Sequence, residues 1–223
     1  MTIRNFDIVY CIDLGSRMSD DLSWIKQLVI NSYYYLNNHD RVKHLKDEIR
    51  LRIKIISFGD KSIKESRFFN VYDRNTLEQE YLQAHLRNLK SVGTSSACDA
   101  LEALKRAIKC DWITEKKKNH IIFVLTKTAL PSIHDLDDGI NALTNEVCEG
   151  WYHPNVLESK LSDTWLDKRL LLFAPFANPW TQLYEYDFGE GLGSCGLFGN
   201  ENMKEEMKYV YDNIVMSYYD PPI

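Results

Sequence analysis

Four short apolar runs constrain this chain most, because each is separated from the next by a stretch with a different period. Phe6–Ile12 (FDIVYCI), Arg50–Phe58 (RLRIKIISF), His120–Thr126 (HIIFVLT) and Arg169–Phe173 (RLLLF) are rich in β-branched, leucine and aromatic residues. They are the length of strands, not of core helices. Between them Leu22, Ile25, Leu28, Val29, Ser32 and Leu36 recur at helical spacing, as do Ala97, Leu101, Leu104 and Ile108. Asp135–Val147 and Met203–Tyr218 are further helix expectations, the second with Met203, Met207, Val210, Tyr211, Ile214 and Val215 on one face. That stripe reads as core and not as a cofactor box. Strands nearly continuous in apolar residues need cover on both sides. The expected class is therefore α/β: a doubly wound, mostly parallel sheet with helices on both faces. Ile63–Tyr72, after a Gly59-Asp60 turn signal, is expected to return as one antiparallel edge strand.

The whole of 1–223 reads as a single domain, since 44% hydrophobic and 26% charged residues suit one soluble core of this length. An insertion is expected near 148–166. An irregular segment near 175–199 holds five glycines among aromatic residues. Its GEGLGSCG lacks the strand-to-helix setting and the GK[ST] of a phosphate loop. A net charge of -5 argues against a general nucleic-acid or membrane-surface binder, because both would repel an acidic protein. Five cysteines without a CxxC pair read as buried free thiols in a reducing compartment. The start of the chain lacks a basic n-region and a long apolar run, so the expected location is the cytoplasm.

Ligands of doubly wound sheets bind beyond the carboxyl ends of the strands. The loops after Ile12, Leu89 and Leu125 are therefore the places to look. The first reads IDLGSRMS and leads into a helix, the second reads VGTSSACDAL over Val92–Leu101, and the third closes the run IIFVLTKT. Together, in order and spacing from Phe6 to Phe173, they resemble the von Willebrand factor A (VWA) family, and in length and layout its small bacterial cytoplasmic tellurite-resistance-type members. In that family a DxSxS motif, a glycine-threonine turn and an LTDG strand end gather round Mg²⁺ at the metal-ion-dependent adhesion site. Asp13 and Met18 fall on matching positions, but Gly15 and Arg17 stand where the two serines belong. Thr94 matches the threonine, with Asp99 in the helix that follows, and Lys127 replaces the final aspartate.

The resemblance implies a degenerate adhesion site made of Asp13, Gly15, Ser16, Arg17, Thr94 and Lys127, with no cofactor. Mg²⁺ balances two carboxylates in a family-type site and prefers octahedral oxygen ligation. Here one carboxylate faces Lys127 and Arg17. Two arrangements follow: Lys127 takes over the electrostatic role of the metal and pairs with Asp13, or Lys127 points to solvent while Asp13 caps loop amides or the next helix. Residual Mg²⁺ binding would rest on Asp13 and Thr94, with Ser16 and Ser19 as shifted ligands.

An enzyme needs a nucleophile, base or metal at the strand ends. The six histidines are scattered, and no HExxH, GxSxG or Walker loop is present. Asp13 sits where a haloacid-dehalogenase-type phosphotransferase carries the first aspartate of DxD, but Gly15 breaks that motif. Asp135, Asp137 and Asp138 suit an acidic helix start. The resemblance thus implies a non-catalytic protein-binding adaptor, whose partner offers an acidic residue to Arg17 and Lys127. It also implies an assembly with an AAA+ ATPase, a kinase with its phosphatase, or another component of a bacterial stress-response or defence system. Trp151, Tyr152, Trp165, Trp180, Tyr184 and Tyr186 are alternative contact anchors or, more simply, core.

Overall fold

A computed structural model describes residues 3–72, 75–113, 118–129, 168–177, 179–181, 183, 193–196 and 208–215. The four apolar runs form the centre of one sheet: β1 (Ile3–Asp13), β2 (Glu48–Gly59), β5 (Lys118–Leu125) and β6 (Lys168–Phe173). β3 (Ser62–Glu65) and β4 (Phe69–Val71) lie on one side and β7 (Gly193–Gly196) on the other, in the order β3-β2-β1-β5-β6-β7 with β4 also on β2. β1 pairs in parallel with β2 and β5, β5 with β6, and β6 with β7. The α/β, mostly parallel expectation is thus met.

The expected antiparallel return over Ile63–Tyr72 is two short strands instead of one, both antiparallel to β2. Between them Ser66 interrupts the ladder. Its hydroxyl accepts from the Ile55 amide at 2.9 Å while its own amide donates to the Ile55 carbonyl at 2.8 Å. The turn into β3 needs positive φ at three successive positions, Gly59, Asp60 and Lys61.

Side-chain parity divides the core. Phe6, Ile8, Tyr10, Ile12, Ile121, Phe123 and Leu125 face α1 (Leu22–Asn37), α3 (Thr76–Asn88) and the helical residues 208–215. Val9, Cys11, Ile122 and Val124 face α4 (Ala97–Ile108), whose Ala100, Ala103 and Ala107 let the backbones approach closely. The short α2 (Asp40–Leu45) follows α1 and buries only Val42. On the α1 side, the buried hydroxyls of Tyr10, Ser32 and Tyr211 hydrogen-bond one another at 2.5–3.0 Å, tying residues 208–215 to β1. Burial pushes the Tyr211 phenol up to about 12.

The 175–199 segment, read as irregular, contains the edge strand β7, and its Trp180 is fully buried against α4 and the sheet. Trp180 is therefore core and not a contact anchor. Trp151, Tyr152, Trp165, Tyr184 and Tyr186 lie outside the described residues, as do the expected helix Asp135–Val147 and the insertion near 148–166. The thiols are mixed: Cys11 is buried and Cys110 half-buried, but Cys98 is exposed.

Candidate functional site

The loops named by the sequence meet at the carboxyl ends of the strands. The Leu14 amide donates to the Phe58 carbonyl at 2.8 Å, the Val92 amide to the Leu14 carbonyl at 2.7 Å, and the Ser16 amide to the Gly93 carbonyl at 3.3 Å. Above them opens a pocket of about 350 Å³ whose polar rim is Ser16, Arg17, Thr94, Ser95, Ser96 and Thr128. α4 begins at this rim with a capping box, in which the Ser96 hydroxyl accepts from the Asp99 amide and Asp99 accepts from the Ser96 amide.

Asp13 lies fully buried beneath the pocket floor. Its Oδ1 accepts from the Gly15 amide at 2.7 Å. Its Oδ2 accepts from the hydroxyls of Thr126, at 2.7 Å, and Thr128, at 2.9 Å. The Thr128 hydroxyl is also 2.8 Å from that of Ser95, and the Thr128 carbonyl accepts from the Trp180 indole at 2.7 Å. The carboxylate is thus held by three neutral donors on two segments, the loop after β1 and the end of β5.

Lys127 does not pair with Asp13. Its ammonium lies 2.5 Å from Asp21 just before α1, with side-chain exposures of 31% and 15%. Parity is the reason. Asp13 continues the face of Val9 and Cys11, and Thr126 and Thr128 continue that of Ile122 and Val124, whereas Lys127 continues the face of Phe123 and Leu125 towards α1. Of the second arrangement, the loop-amide bond of Asp13 is present, but Lys127 is not free in solvent.

The other matched positions differ in what they reach. Gly15 is buried with ordinary backbone angles, φ -56 and ψ 156. Its glycine identity comes from crowding, because an added Cβ would lie 2.4 Å from the Ser95 hydroxyl oxygen. Ser16 and Arg17 are exposed at the rim, Met18 plugs the α1-side core, and the Ser19 hydroxyl turns to Asp20 at 3.3 Å. Thr94 is engaged by Asp60: its amide donates to that carboxylate at 2.8 Å, beside the Gly93 amide at 3.1 Å. Those two amides hold the Asp60 carboxyl below its ordinary value.

The Mg²⁺ of a family-type site does not fit this donor set. A single carboxylate, with three donors already on it, replaces two, and Gly15, Arg17 and Lys127 supply no side-chain oxygen. Among the described residues no three His, Cys, Asp or Glu side chains are placed to share a metal. Thr126, Thr128, Ser95, Asp21 and Asp60 are the site residues that sequence reading missed. The Thr-Lys-Thr alternation at 126–128 held a signal, since it puts two hydroxyls on one side and the ammonium on the other.

No family model matches the sequence, and no curated protein matches it. Solved structures do match in fold. A von Willebrand factor type A protein from Catenulispora acidiphila is similar over 95% of this chain, at 10% identity and a TM-score of 0.56. The pilus adhesin SpaC from Lactobacillus rhamnosus GG, in its open conformation, is similar over 98% at 10% identity and 0.61. The PilB minor pilin from Streptococcus sanguinis, as a mutant, is similar over 99% at 9% identity and 0.55. This chain spans 43%, 31% and 64% of those proteins, respectively. The fold is therefore that of a VWA-like α/β domain. No helix among the described residues is long and apolar enough to cross a membrane.

Proposed function

We propose that this chain is a non-catalytic protein-binding adaptor that engages an acidic partner residue at the rim of the strand-end pocket, without a metal. One observation carries the reading: Arg17, in place of a metal-site serine, is exposed beside a pocket lined by hydroxyls. A guanidinium there offers a carboxylate two parallel hydrogen bonds, with serine and threonine hydroxyls near enough to add more. Lys127, spent on Asp21, leaves that role to Arg17. Asp13 supports a structural part over a phosphotransferase one, being fully buried with both oxygens occupied.

The VWA-like fold and the resemblance of the motifs favour a protein partner over nucleic acid or membrane. The resemblance of the motifs supports our reading of the adaptor as part of a bacterial cytoplasmic assembly with an AAA+ ATPase, a kinase and phosphatase pair, or another stress-response or defence component. Affinity capture from the native host, with chelator and with Mg²⁺, tests the reading. A partner retained in chelator and lost on Arg17→Glu, with the circular dichroism spectrum unchanged, is the expected result. Capture that requires Mg²⁺, or that ignores Arg17→Glu, contradicts it.

A further inference from the structure

We infer that side chains of this chain bridge the strand-end loops in the way a divalent cation bridges a family-type site, so that the site keeps one arrangement with or without Mg²⁺. The inference rests on the reading of this face as the binding face and adds how that face is kept in shape. Three bridges carry it. Asp13, ending β1, takes the hydroxyls of Thr126 and Thr128 beyond β5. Thr128 passes the connection to Ser95, in front of α4. Lys127 and Asp21 join the same β5 end to the start of α1.

The exchange of residues is specific. Where the family motif has a serine at position 15, this chain has glycine, and the hydroxyl of Ser95 sits in the space that a side chain there would need. A hydroxyl has in effect moved from the first loop to the second, where it binds a neighbour within the protein. Where the motif has a second carboxylate, Lys127 supplies a permanent cation tethered to the chain. An ammonium tethered to the chain does not leave with the solvent or depend on free ion concentration, whereas Mg²⁺ must be recruited and gives up its waters reluctantly.

Hydrogen exchange of the amides at 14–21, 92–98 and 126–129 reads the bridging directly. In the wild-type protein the protection is expected to be the same in chelator as in millimolar Mn²⁺. Lys127→Met, on a side chain already one-third exposed, is expected to raise exchange several-fold at 14–21 and 126–129. The charge-swapped Lys127→Asp/Asp21→Lys protein should recover most of that protection. Protection that rises with Mn²⁺ in the wild type overturns the inference, as does unchanged protection in Lys127→Met. Either outcome leaves the Arg17→Glu capture result standing by itself, so the two readings fail separately.

Discussion

Strand β1 carries two buried aspartates on the same face, six residues apart, and they are neutralised in opposite ways. Asp7 meets Arg52 on β2 head-on, with Nε to Oδ1 at 2.8 Å and Nη2 to Oδ2 at 2.5 Å, and also accepts from the Ile113 amide at 2.7 Å. The guanidinium in turn lies 4.4 Å over the Phe68 ring. Asp13 has no such cation and is held by an amide and two hydroxyls. At the amino end of the sheet a full charge is matched inside the protein, which locks structure. At the carboxyl end the carboxylate organises neutral donors beneath a pocket, while Lys127 pairs with Asp21 and Arg17 is exposed at the pocket rim. The difference separates an acid locked into the frame from one that organises the floor of a pocket.

The largest expected effect is at the amino end. Arg52→Ala leaves the Asp7 carboxylate buried without its cation and should cost about 3–5 kcal/mol in chemical denaturation. Asp13→Asn should cost less, about 1–3 kcal/mol, because hydroxyl donors rotate to suit an amide. Equal losses at the two positions would break the comparison. Gly15→Ala should be milder still, at the low end of about 1–3 kcal/mol, since the nearest crowding atom is a rotatable hydroxyl, with Asp13 Oδ1 at 3.0 Å and the Ser95 Cβ at 3.1 Å behind it. Ser95→Ala in the same chain should relieve the hydroxyl part of that loss while giving up the Ser95–Thr128 hydrogen bond.

The smallest effect at neutral pH concerns the tyrosine pair on the opposite face. The Tyr211 phenol is raised from an ordinary 10.0 to about 12, so its contribution is complete below pH 10. It is lost as the pH rises from about 10 to about 12, because the unfolded chain ionises first. Tyr211→Phe should flatten that alkaline decline in a denaturation series.

The frame was legible because it depends on local pattern. The runs around Ile8, Ile53, Ile122 and Leu171 fixed four adjacent strands, and the spacings through Leu28 and Leu104 fixed α1 and α4. β7 was not, because GSCG has neither β-branched nor aromatic residues and becomes a strand only by pairing with β6. α3 was not, because it buries only Leu82 and Leu86 among polar neighbours. At the site, the convergence of three loops was legible from strand order, but the partners were not. Lys127 has one carboxylate on each side of the sheet, and only the parity of the chain end decides for Asp21. Ser95 against Gly15 is a contact between residues 80 apart, invisible until the loops are stacked.

Crystals grown in Mn²⁺ test the central claim most directly, through anomalous density at the strand ends. The account predicts none beside Asp13, with Thr126 and Thr128 still on its Oδ2. An octahedral centre coordinated by Asp13 and Thr94, at about 2.0–2.2 Å as hard oxygen ligation requires, would contradict it.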